Sequence, residues 1–193
     1  MTHEPLWDLA GRTLCLGHDV STTIEGLLRL QNTADYQRPI TLYIYGSPSM
    51  PAPSPTDAML VCALIRVLRS PVQTIGMGLL QTTQSLVLAS GTHRRFLIRH
   101  TLLALSPMKW DTVPAARAAI SFGQPMLLRS PRTLMEEQFE QLLAELKLNP
   151  GLFASEHLFT AEESVQRQLA DTIVTQTTPT PAPRPILTHE NQR

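Results

Sequence analysis

The stretch VQTIGMGLLQTTQSLVLASG, residues 72–91, decides how this chain is read. Its first part, Val72–Gly78, is a short apolar run behind Pro71 with glycines at 76 and 78, which predicts a buried strand. From Gln84 to Ser90 the residues are small or apolar, and Gly91 follows as a helix stop. A buried strand therefore turns directly into a small-residue helix, with Thr82 and Thr83 at the elbow. Threonines at a helix start cap free backbone N–H groups, and that reading is favoured over a nucleophilic one.

Outward from the elbow, strands and helices alternate. Arg12–Leu16 and Ile40–Tyr45 read as strands, and Ser21–Gln31 between them sets Ile24, Leu27, Leu28 and Gln31 at helical spacing. Ser54 is a helix cap with Pro55 at the first helical position, opening a helix to Leu68 that is apolar on nearly every side and must be buried. A large single core or neighbouring subunits would serve for that burial. Arg95–Ile98 and Thr101–Ser106 are further strands, whereas 109–129, with Pro114 and Pro125, is irregular or locally helical. Ser130 and Pro131 start a helix to Lys147 with a stripe of Phe139, Leu142, Leu143 and Leu146. Thr160 and Glu163 have the spacing of a capping box for one more short helix. The pattern predicts one layered α/β domain over 1–175, followed by a Pro/Thr-rich tail, 176–193, that cannot bury a core and is expected to be disordered or extended.

Composition narrows the partners. Lys+Arg and Asp+Glu both number 16 in 193 residues, so no broad field for nucleic acid or an anionic membrane surface arises. Cys15 and Cys62 lie in apolar runs without Cys/His ligand spacing, which predicts small hydrophobes, no metal and no cofactor. No run is long enough to span a bilayer and no signal-peptide pattern opens the chain, so a soluble protein of a reducing, cytoplasmic compartment is expected.

With the element order established, six fragments in register resemble the proteolytic subunit of the Clp protease, the ClpP family of self-compartmentalising serine peptidases (S14). Leu14–Gly17 is similar to the family's first strand and its closing glycine, and Ile40–Ile44 with Ser47-Pro48 to its strand before a Ser-Pro-Gly-Gly turn. Val72–Gly78, Leu86–Gly91 and Arg95-Phe96 resemble the nucleophile strand, nucleophile helix and following strand. Thr160–Glu163 with Leu169 and Asp171 resembles the final helix. The resemblance implies a crotonase-type superhelix of strand-strand-helix units with a helical handle, built into stacked seven-membered rings. Homomeric or mixed rings with ClpP-like subunits and an AAA+ ATPase chaperone are the implied partners, in cytoplasm or plastid stroma.

The same resemblance, taken residue by residue, implies a degenerate site. Thr82 stands at the nucleophile position, Ser106 at that of the general base and Glu156 at that of the orienting carboxylate. A serine hydroxyl, with a pKa far above neutrality, cannot take a proton as histidine does. At the oxyanion turn Ser49 and Met50 replace the glycine pair and Pro51 has no N–H, while the Thr83 N–H at the helix start is still able to face an anion. The N-terminal pore segment is short, and Pro114, Pro125 and Pro131 interrupt the counterpart of the handle. The expectation is a ClpR-like, catalytically impaired ring subunit with a structural or regulatory role in protein degradation. Two rivals stay open: a Clp-type endopeptidase in which His93, His100 or His157 serves as a displaced base, and a stand-alone scaffold whose Thr178–Pro185 segment is a proline-rich ligand.

Overall fold

Short apolar runs cannot bury both faces alone, so they pair in parallel and use the intervening helices as crossovers. The computed structural model describes residues 7–16, 20–110 and 131–175. In chain order it contains β1 (Trp7–Asp8), β2 (Thr13–Cys15), α1 (Val20–Gln31), β3 (Ile40–Gly46), α2 (Pro55–Val67) and β4 (Val72–Gln81). There follow α3 (Thr82–Ala89), β5 (Arg95–Ile98), β6 (Leu102–Leu105), α4 (Pro131–Glu145), a 3-10 turn at Pro150–Phe153, β7 (His157–Thr160), α5 (Ala161–Gln166) and β8 (Thr172–Val174).

The main sheet runs β1-β2-β3-β4-β5-β8, parallel from β2 onward, with β1 antiparallel to β2. A second layer branches from it: β6 pairs in parallel with the end of β4, and β7 lies antiparallel to β6. Strand β4 serves both layers. Its residues 72–78 pair with β3, and its residues 79–81 pair with β6.

The switch occurs at Gly78, whose φ is +82°, a left-handed backbone that side chains resist. A Cβ there would lie 2.2 Å from the carbonyl oxygen of Gly46, and a Cβ on Gly46 would lie 2.1 Å from that of Leu79. Two glycines thus let the strands approach closely as β4 leaves one sheet for the other. The core beneath is continuous, with Leu27, Leu30, Leu42, Ile44, Leu86 and Leu88 at 0 % exposure. Each such side chain contributes about 1.5–3 kcal/mol by leaving water.

The α/β class read from the sequence holds, and several details differ. Helix α1 buries Thr23, Leu27 and Leu30 and leaves Leu28 outside, because the sheet meets it a residue round from the expected stripe. Helix α2 has its Ser54 cap, whose hydroxyl accepts the Asp57 N–H at 3.2 Å, but Leu60 and Val67 remain exposed, contrary to full burial. Cys62 is buried as expected, whereas Cys15 is exposed, since the short β2 shows one face to solvent. The capping box at Thr160 and Glu163 forms with both hydrogen bonds, at 3.2 and 2.8 Å. Strands β1, β7 and β8 have no clear counterpart in the sequence pattern. They are two to four residues long and depend on partners already in place. The proposed disorder of the tail, Pro114, Pro125 and the Ser130 cap fall outside the described residues.

Candidate functional site

The elbow is sharper than its sequence suggested. Strand β4 continues to Gln81 and α3 begins at once with Thr82, two residues before the expected Gln84. Threonine hydroxyls do not cap this helix. The Gln84 side chain does so, its oxygen accepting the Gln81 N–H at 3.0 Å while its amide donates to the Tyr45 carbonyl at 3.1 Å. That exchange frees both threonines for other work.

Pairing of Gln81 with Ala104 in the β4–β6 ladder brings the start of α3 against the end of β6. There the Thr82 side-chain oxygen accepts the Ser106 backbone N–H at 2.8 Å, lies 3.2 Å from the Ser106 carbonyl oxygen and 3.1 Å from its hydroxyl. All three contacts go to one residue. A hydroxyl has one proton and two lone pairs. Here the proton has a carbonyl or a second hydroxyl to go to, and neither is a base near neutral pH.

Thr82, Thr83, Ser106, Lys109, Glu156 and His157 are among the residues lining a cleft of about 730 Å³ at the carboxyl ends of β4 and β6. Such a position follows from parallel topology, where helix N-termini and loops converge beyond the strand ends. Glu156 arrives because β7 runs antiparallel to β6, with His157 opposite Leu105. The structure thus brings together the four expected positions Thr82, Thr83, Ser106 and Glu156.

It does not bring Ser49 and Met50. Both are exposed, and the cleft wall on that side is Ala52, Pro53 and Pro55. The Met50 N–H is already spent on the Ser47 carbonyl at 3.1 Å, and the Ser47 and Ser49 hydroxyls are 3.0 Å apart. A tight local turn has consumed the donor that an oxyanion would require.

Of the three histidines considered, His157 alone lines the cleft; His93 and His100 lie in exposed turns on either side of β5. The His157 Nε2 shares a hydrogen bond with the Ser155 hydroxyl at 2.8 Å, and its ring stacks on Phe159 at 5.4 Å. The Arg167 guanidinium packs over the Phe159 ring, 4.5 Å from its centroid. Lys109 and Ser155 were not singled out from the sequence, because an isolated lysine or serine carries no periodic signal. No group of three or more His, Cys, Asp or Glu residues suited to a metal is present among the described residues.

A mostly parallel α/β sheet, a strand-to-helix elbow bearing a hydroxyl and a cleft over the strand ends define a peptidase-type fold. A solved structure described as a peptidase from Plasmodium falciparum is similar to it, with a TM-score of 0.68 and 18 % identity over 86 % of this chain and 97 % of that one. The sequence itself is more specific: residues 10–177 match the Clp protease family, and the chain belongs to that family. No curated relative matches it.

Proposed function

We propose that this chain is a catalytically impaired, ClpR-like subunit of a Clp-type protease ring, in which Thr82, Ser106 and Glu156 occupy the places of nucleophile, general base and orienting carboxylate. The observation that carries this reading is the complete engagement of the Thr82 hydroxyl by Ser106. A nucleophilic hydroxyl must lose its proton to a base during attack. Among the described residues no imidazole is hydrogen-bonded to Thr82, and absence of the base in such a triad costs about three to six orders of magnitude in rate. The committed Met50 N–H removes a further oxyanion donor, a loss of about two to three orders in comparable sites.

Rings are typical of the family, and the subunit would occupy positions in one, alone or beside active ClpP-like chains, shaping the pore and the docking of an AAA+ ATPase. A reducing compartment, cytoplasm or plastid stroma, fits its two free thiols.

A second reading is favoured by one fact, that His157 shares the cleft with Thr82. For it to act as base, the imidazole has to leave Ser155 and the Thr82 hydroxyl has to leave Ser106.

Purified protein is expected to cleave neither casein nor small fluorogenic peptides and to remain unlabelled by a fluorophosphonate. Robust labelling that disappears in Thr82→Ala would overturn the impaired reading, and its further loss in His157→Ala would establish the second one.

A further inference from the structure

Arg12, just before β2, is 2 % exposed and is the one buried charged residue among the described residues. Buried arginines are almost always paired with an acid. Among the described residues Arg12 has no such partner: its Nη1 donates to the Leu30 carbonyl at 2.9 Å and to the Thr33 hydroxyl, and its Nη2 to the Ser70 hydroxyl at 3.0 Å. Its Nε is buried without a partner. Burial lowers the Arg12 pKa, while Asp35 raises it and Arg38 lowers it, and the exposed Asp35 is already paired with Arg38 at 3.4 Å. The Leu30 carbonyl lies at the end of α1, where the helix dipole supplies about half a negative charge. That falls short of a counterion.

Against this guanidinium lies a cavity of about 450 Å³ lined by Gln31, Asn32, Thr33, Tyr36 and Arg69. Thr33 belongs to both, Leu30 precedes Gln31 and Ser70 follows Arg69, so Arg12 stands directly behind the cavity wall. The Ile40 N–H donates to the Pro71 carbonyl at 2.8 Å, which joins the amino ends of β3 and β4 here, opposite to the strand ends that carry the Thr82 cleft. The lining holds no carboxylate and is rich in donors. Gln31 spends its side-chain oxygen on the Arg69 backbone N–H at 3.2 Å, which leaves its NH2 group for a ligand. The Arg69 guanidinium is exposed and has no ion pair among the described residues. The Leu30 carbonyl accepts from Arg12 at 2.9 Å and from the Thr33 hydroxyl at 2.8 Å, so the Thr33 proton can turn to a ligand without orphaning it.

We propose that this cavity binds a phosphate-type oxyanion, either inorganic phosphate or the phosphate of a small monoester, contacted by Arg69, Gln31, Thr33 and Tyr36, with Arg12 as countercharge behind the wall. Two guanidiniums less the partial charge at the end of α1 leave about +1.5, against about −1.5 to −2 for a phosphate monoester at pH 7. A carboxylate would leave Arg12 partly uncompensated. The volume is that of a small-molecule site and leaves room for the remainder of an ester. The proposal is independent of whether Thr82 is a nucleophile.

The test is calorimetric titration of the full chain with inorganic phosphate, glucose 6-phosphate and acetate at fixed ionic strength and neutral pH. Saturable binding of phosphate is expected, about tenfold or more tighter than of acetate. A further gain with glucose 6-phosphate identifies a monoester as the ligand, and no gain identifies the free ion. Arg69→Gln should weaken phosphate binding about tenfold, the scale of a charged hydrogen bond, and Thr33→Val should weaken it less. Arg12→Met should lose it, and if that variant does not fold the other two decide. Phosphate also stabilises folded proteins without binding, so thermal midpoints with and without it are compared. The gain should shrink in Arg69→Gln and persist in Arg99→Gln, a control cation at the far end of β5. No saturable heat with either phosphate, equal binding of acetate, or full affinity in Arg69→Gln would overturn the proposal.

Discussion

The Thr82 side-chain oxygen lies 2.8 Å from the Ser106 backbone nitrogen and accepts its hydrogen, tying the first residue of α3 to the end of β6. This contact joins the elbow to the second sheet layer, which makes Thr82 a structural residue whatever its chemistry. Thr82→Val keeps the shape and removes the acceptor. It should destabilise the protein by about 1–3 kcal/mol, because the Ser106 N–H is left without a partner in a partly buried place. Thr82→Ser should stay within about 1 kcal/mol of the parent. Urea unfolding of the two variants checks this, and equal stabilities would refute the role.

Gly78 allows β4 to change sheets. Gly78→Ala forces a Cβ to 2.2 Å from the Gly46 carbonyl oxygen at a φ of +82°. Two costs combine, left-handed strain and displacement of β3. A loss of more than about 2 kcal/mol is expected, at the upper end of single-residue backbone effects. Gly151→Ala, which meets only the Asn149 side chain at 3.1 Å and has no positive φ, is the control and should cost far less. Similar thermal midpoints for the two would contradict the hinge.

Asp171 and Arg95 set an acid limit. The Arg95 guanidinium donates to the Asp171 carboxylate through Nε at 3.0 Å and through Nη2, and the Arg95 backbone N–H adds a bond at 2.8 Å. These bonds hold the carboxyl below its ordinary pKa, partly opposed by burial. Its folded pKa is thus the lower one, so the stabilisation is fully present above about pH 4, the unfolded value. It is lost as pH falls below that value through the folded one. Stability measured from pH 6 to pH 2 should fall less steeply in Asp171→Asn than in the parent. Because the pair is partly open to solvent, the loss at neutral pH should be modest and salt-dependent, on the order of 1 kcal/mol. Parallel pH curves would rule out this assignment.

The two thiols should differ in reactivity. Cys62 is fully buried between α2 and α3, and burial pushes its pKa up to about 12. Cys15 is exposed, and partial burial of its thiol raises its pKa as well. Thiolate is the reactive species, so a disulfide reagent at pH 8 should titrate Cys15 slowly and Cys62 only after unfolding. Two equivalents released from the native protein at one rate would show that the α2–α3 contact opens.

Much of this molecule is legible in its residues. The strand at 72–78, the caps at Ser54 and Thr160 and the alternation of strand and helix all follow from period and turn chemistry, which act over a few neighbours. The Clp resemblance picked out Thr82, Ser106 and Glu156 although 24 and 50 residues separate them, and the fold does gather them at one cleft.

Local rules fixed the elements and the absence of an imidazole at position 106. Only the tertiary structure decided how the remaining hydroxyls are used. Strands β7 and β8 form because β6 and β5 offer them edges, and no short segment encodes that pairing. The Thr82 hydroxyl accepts the Ser106 N–H, and the Gln84 amide reaches across to the Tyr45 carbonyl. These are hydrogen bonds between residues that meet only when β3, β4 and β6 come together. A donor's partner is set by where the chain returns to it, which depends on the whole fold.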